Sequence, residues 1–195
     1  QYDAGQAGRE RGDRRSAAIV PLDELARPGR PVPDASVDRT ASVSGTYDVA
    51  RQVTVPGRVL DLTMGAYVVT PLMTSTGSTL LVVRGWVADG AQVEDPPRAV
   101  ELTGTIRPYE DSSDATLGLS APYAPGELPY LGPEPVQGAI PIDTARTYGG
   151  FLALESQDPT TTGAPRPVPL DVLARHSGVG IWQHFSYWAQ WWVFA

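Results

Sequence analysis

The chain has 195 residues, long enough for one domain with a proper core, and 42% of them are apolar against 19% charged, which excludes a wholly disordered chain. A net charge of −7 argues against nucleic-acid binding, which needs a basic stripe to neutralise phosphates. With no cysteine there can be no disulfide framework, thiolate metal site or thiol catalysis.

All 15 basic residues are arginine, and the 20 glycines and 19 prolines favour a turn-rich fold over a helical bundle. The first residues, "QYDAGQAGRERGDRR", are polar and charged and do not form a signal peptide. Residues 1–27 suggest a helix to about Val20 and a short turn after Pro21. "RPGRPVPDASVD" then reads as an extended connector.

From Thr40 the texture becomes that of strands. "TASVSGTYDV" and "RQVTVPGRVL" are β-branched runs around a turn near Asp48–Ala50, which predicts a hairpin. "AYVVTPL", the turn "STGS" and "TLLVVRGWVA" predict a second one. "RAVELTGTIRP" is a further strand, and its Gly-Thr pair, shared with "SVSGTYD", suggests bulged or sharply bent strands. Residues 108–138 read as loop, "PIDTARTYG" as a short helix begun after Pro141 and ended by Gly149, and "GGFLALESQD" as the last strand. "PTTTGAPRPVP" is an exposed linker, and a closing helix begins near Leu170. The fold class is mainly β: an antiparallel barrel-like or sandwich domain with minor helices. The expected divisions are a helix and Pro-rich connector over 1–39, a β domain over 40–169, and a helix entering a membrane over 170–195.

That last expectation rests on "GVGIWQHFSYWAQWWVFA", residues 178–195, which carry no charge and four of the five tryptophans. As a helix the segment would rise about 27 Å, close to the roughly 30 Å of a bilayer's hydrocarbon. Tryptophans gather where a span crosses the interface. The segment therefore reads as a membrane helix cut before its end.

Within "LLVVRGWV" an arginine sits in a greasy strand. Strict alternation puts Leu80, Val82, Arg84 and Trp86 on one face and Leu81, Val83, Gly85 and Val87 on the other, with Gly85 leaving room for a second backbone. A lone guanidinium there would cost several kcal/mol, so Arg84 must be paired, stacked on an aromatic, or at a barrel mouth. Two roles stay open for it: a structural pin of the strand register, or a contact for an anion or partner. Elsewhere the chain has no HExxH, GxSxG, Walker A or GxGxxG motif, and its only histidines are His176 and His184. Glu94, Asp95, Glu110, Asp111 and Asp114 read as solvated loop acids. Nothing supplies a nucleophile with its base.

"VTVPGRVLDL" and "GAYVVTPLMTSTGSTLLVVRGWVADG", with "VSGTYD" upstream and "HFSYWAQWWVF" at the end, resemble the surfeit locus protein 1 family of cytochrome c oxidase assembly factors. The chain departs from the family pattern at Val83, where Asn is common, at Ala88, where Pro is common, and at Trp188, which stands between Tyr187 and Ala189. The resemblance implies a β-rich domain between two membrane helices, the first missing apart from Gln1 and the second truncated. It implies a place in the plasma membrane with the main domain on the extracytoplasmic side, and no catalytic turnover.

Haem A is the cofactor that the resemblance implies, and His184 matches the histidine proposed as its axial ligand in some bacterial members. Trp188 and Trp191 share that helical face at i+4 and i+7, with Ile181 one turn before. A membrane-interface histidine among tryptophan anchors is the other reading. His176, beside Arg175, is a lesser candidate. Arg84, Arg58 and Trp86 become candidate contacts for a haem propionate or an acidic partner. The implied partners are cytochrome c oxidase subunits, above all the catalytic haem-bearing one, then haem A synthase and the lipid bilayer. A stably bound accessory subunit of the oxidase or of a respiratory supercomplex is the alternative. It would stay at fixed stoichiometry with active enzyme, whereas a factor accompanies only the immature one. A hydrolase, or a membrane-anchored β domain for some other ligand, are the remaining classes.

Overall fold

Most of the β-branched runs become strands, and a computed structural model describes residues 18–115, 123–169 and 172–173. The strands are β1 (Val20–Pro21), β2 (Thr40–Tyr47), β3 (Val53–Leu60), β4 (Thr63–Thr74), β5 (Thr79–Ala88), β6 (Ala99–Pro108) and β7 (Thr147–Asp158). Two short helices accompany them, α1 (Leu22–Leu25) and α2 (Pro133–Ala139). The sheet order is β1-β2-β6-β7-β5-β4-β3, and a further pairing of β2 with β4 closes β2, β6, β7, β5 and β4 into a barrel. Counting those five in chain order, the ring runs first, second, third, fifth, fourth. This is the connectivity of the five-stranded Greek-key barrel of the OB type. Strand β3 lies outside the ring, paired with the first half of β4.

Two hydrophobic cores flank the barrel wall. The inner one fills the barrel with Ala41, Tyr47, Leu72, Leu80, Val82, Val100, Leu102, Ile106 and Leu152, and Leu22 and Leu25 of α1 join it. The outer one lies against the other face of β4, β5 and β7. There Tyr67, Val69, Leu81, Val83, Trp86 and Phe151 meet Val55 and Leu60 of β3, Val136 of α2, and Leu128, Leu131, Val168 and Leu173. Each such side chain, fully buried, contributes roughly 1.5–3 kcal/mol. Strand β5 serves both cores, which is why its sequence reads as an almost unbroken apolar run.

Several expectations need correction. Strands β2 and β3 do not form a hairpin: β2 pairs with β6 and β4, while β3 and β4 form the hairpin across Asp61 and Leu62. A wholly antiparallel sheet was expected, but β5 runs parallel to β7, and β1 parallel to β2. Val20 lies in a strand, and the helix follows Pro21, where Leu22 and Leu25 turn one buried face inward. The expected loop holds α2, begun by Pro133 at its first turn. The "PIDTARTYG" stretch makes only a 3-10 turn, Thr144–Arg146, and Gly149 is part of β7.

The second hairpin, β4 with β5, and the last strand stand as expected. Gly104 adjoins a register shift between β6 and β7. Gly45 shows no such shift and sits where β2 meets β4, its missing Cβ position 2.4 Å from the Met73 carbonyl oxygen. Among the described residues no helix is long and apolar enough to cross a membrane. Gln1, the expected trace of a first membrane helix, and the expected membrane stretch 178–195 lie outside the described residues.

Candidate functional site: buried arginines along the barrel wall

Bulges decide where the charged side chains point. Between Pro56 and Arg58 the β3–β4 register slips by one residue at Gly57, whose φ is +75°. Val53 and Val55 face the outer core, and without the slip residues 57 and 59 would follow them. With it, Arg58 and Leu60 turn inward and Val59 turns out. A second slip sets Val68 opposite Gly85 and Val69 opposite Val83, so Arg84 is the extra residue. Bulges re-aim side chains in this way. Trp86 consequently joins Leu81 and Val83 in the outer core, and does not share a face with Arg84 as strict alternation required. Gly85 does leave room for a second backbone: a Cβ there would lie 2.3 Å from the carbonyl oxygen of Arg166. The Arg166 backbone exchanges two hydrogen bonds with Trp86, of 2.7 and 2.9 Å.

Arg58 is fully buried. Its Nη2 donates to Glu110 Oε2 at 2.6 Å, and the guanidinium lies over the Tyr67 ring, 5.0 Å from its centre. Glu110 Oε2 also accepts from the Leu131 amide at 2.7 Å. Trp86 Nε1 donates to the Arg58 carbonyl oxygen at 2.8 Å, so the structure brings Arg58 and Trp86 together. Among the described residues, Arg58 Nε and Nη1 and the Tyr67 hydroxyl find no hydrogen-bond partner. A third arginine completes this quarter of the wall. Arg107 Nη1 donates to Asp38 Oδ1 at 2.5 Å, and its Nη2 lies 3.5 Å from the carbonyl oxygen of Leu173. Burial pushes the Tyr67 phenol up to about 12; Arg58 and Arg107 oppose the rise and Glu110 adds to it.

Arg84 stands apart. Its Nη1 donates to Gln52 Oε1 at 2.9 Å and its Nη2 to the Glu94 carbonyl oxygen at 2.8 Å, while the guanidinium lies 5.8 Å from the centre of the Tyr47 ring. Thr70 Oγ1 donates to the same Gln52 oxygen, fixing that amide as an acceptor. Burial lowers the pKa of Arg84, against opposing effects of Tyr47, Asp95 and Glu94. The contacts tie β5 to the segments before β3 and before β6. His184, Trp188, Trp191 and His176 lie outside the described residues.

Glu110, read from sequence as a solvated loop acid, is buried and neutralises Arg58. Asp114 is likewise buried, accepting from the Asp111 amide. The sequence did hold a signal for Glu110: "IRPYED" sets it just after a strand that closes on Arg107 and Pro108, where the chain must turn back over the wall. Asp38 and Tyr67 carried none. Among the described residues there is no cluster of three or more His, Asp or Glu side chains able to hold a metal ion. Chemically, the arrangement can hold charge in fixed places, and it offers no nucleophile–base pair.

A family model described as the SURF1 family matches residues 3–195. No curated protein matches the chain.

Glu110→Ala should leave the Arg58 charge buried and uncompensated, with a loss of ~3–5 kcal/mol in urea denaturation. Replacing both partners, Arg58→Met with Glu110→Leu, should recover most of it. Alkaline titration provides a second check. Tyr67 and Tyr109 are held protonated to about 12 by burial, and Tyr47 and Tyr148 are pushed up further. The unfolded chain releases these protons near pH 10, so their contribution to stability is complete below that and is lost as pH rises from 10 towards 12. Phenolate absorbance should therefore lag in the folded protein, and the urea midpoint should fall across that window.

Proposed function

The chain belongs to the SURF1 family, a membrane-associated family of cytochrome oxidase assembly factors, and we propose that it serves maturation of the haem-A-bearing oxidase by receiving haem A or by holding an oxidase subunit intermediate. The observation that carries the reading is the family match over residues 3–195, which takes in the barrel and the tail together. The barrel is the extracytoplasmic body, the tail ties it to the plasma membrane, and the catalytic oxidase subunit is the principal partner, with haem A synthase a further one. The protein performs no turnover of its own.

The described residues contain no histidine or cysteine, so an imidazole donor for haem iron would lie outside the barrel, whose own candidate donors are limited to methionines and tyrosines. That donor comes from the tail, and His184 is the residue proposed for it, with Trp188 and Trp191 as flat apolar neighbours. A neutral imidazole there supplies the nitrogen lone pair, and the tryptophans exclude water from its surroundings. Haem A, when bound, brings its own iron chemistry.

Arg58, Arg84 and Trp86 are buried and engaged within the wall. For either arginine to meet a propionate or a partner's carboxylate, its present acceptors would have to be exchanged for it. The support for these three as contacts is thus weaker than for the tail residues, and their first role is to fix the wall.

Titration of the intact, membrane-reconstituted protein with haem A should give a Soret spectrum of ligated iron that shifts and weakens in His184→Ala. Identical spectra and affinities for the two proteins would remove His184 from the proposal.

A further inference from the structure

The β3–β4 hairpin ends in an apolar tip that folding does not explain. Leu62 is 99% exposed, and Val59 and Met64 are each 45% exposed. These two stand directly opposite one another in the β3–β4 register, on the face away from the core, with Leu62 at the turn between them. Asp61 and Leu62 both have positive φ, +49° and +63°. Such a turn is the usual place for Asn-Gly, and a branched aliphatic side chain there is strained. Local strain and full exposure of leucine both oppose stability, so the residue is suited to a surface met after folding.

The position of the tip says which surface. Asp61 is paired at 3.7 Å with Arg166, whose backbone is bonded to Trp86. From Arg166 the chain runs through Val168 to Leu173, and both share the outer core with Leu60 at the hairpin's root. Gly178, where the uncharged, tryptophan-rich stretch begins, is five residues beyond Leu173 and thus at most about 18 Å away. The hairpin tip and the lead into the tail are therefore fastened to one patch of the wall.

We propose that Leu62, Val59 and Met64 dip into the lipid bilayer beside the tail, making the hairpin a further, shallow membrane contact. The proposal rests on the reading of residues 178–195 as a membrane segment. The contact residues are apolar, Asp61 at the turn is offset by Arg166, and the exposed Asp89 beside Met64 and the chain's net charge of −7 make anionic lipid not what it seeks. It would fix the barrel's orientation over the membrane.

The absence of native cysteine permits single-cysteine labels at Leu62→Cys, Met73→Cys and Trp191→Cys, each carrying the environment-sensitive fluorophore NBD, in the intact protein reconstituted into phosphatidylcholine vesicles with doxyl-labelled lipid. Met73 is a fair control, being 46% exposed near the β4–β5 turn, at the far end of β4 from the tip. The expected result is blue-shifted emission and severalfold lipid quenching at 62 and 191, with neither at 73, unchanged in 0.5 M salt. Quenching at 191 alone overturns the hairpin contact and leaves the tail reading standing. Quenching at none of the three overturns both. Equal quenching at 62 and 73, or a shift at 62 that needs added oxidase subunit or anionic lipid, also overturns the proposal.

Discussion

A guanidinium with no access to water must take its counter-charge inside with it, and the Arg58–Glu110 pair is where this structure meets that demand. Glu110 reaches Arg58 only because the chain leaving β6 folds back over the outer core, where the Leu131 amide binds the same carboxylate oxygen. The pair thereby ties the hairpin outside the barrel to the segment that carries α2. A buried ion pair of this kind is a poor source of net stability, but breaking it is costly, and that asymmetry makes it a device for holding one arrangement of the wall. Arg107 does the same nearby, joining β6 to Asp38 and to the backbone at Leu173.

Much of the barrel was legible in the sequence because its strands are long and β-branched and the turn between β4 and β5 carries glycine. The β4–β5 hairpin is the clearest instance. What the sequence hid were consequences of long-range pairing. Local turn chemistry at Asp48–Ala50 resembles a hairpin, yet β2 is claimed by β6 and β4, and closure of the ring outweighs the nearer partner. The faces of β5 were misread past Val83 for a related reason. Period-two alternation holds only while the register holds, and the slip at Arg84 moves Trp86 across the sheet. Glycine was the available hint in both bulges, Gly57 with positive φ in one and Gly85 beside the extra residue in the other. The role of Glu110 could not be read from spacing, since 52 residues separate it from Arg58.

The chain's membership of the SURF1 family makes the build of this wall relevant to oxidase assembly. The wall is built around fixed charge and tight backbone approaches, as at Gly65, where a Cβ would come within 2.5 Å of the Trp86 ring. Such a body suits a rigid platform better than a reaction chamber. Function then rests on what the platform presents, and among the described residues outside its wall the distinctive ones are those of the hairpin tip. Oxidase assembly, the role of the family, calls for binding, orientation and release, and a rigid platform can serve all three.

The most direct test of the account is the haem A content of oxidase in membranes from cells lacking this protein, read from reduced-minus-oxidised difference spectra normalised to oxidase polypeptide. The account predicts a severalfold fall in haem A per catalytic subunit, restored by the wild-type chain. An oxidase that acquires its full haem A complement without the protein would contradict it.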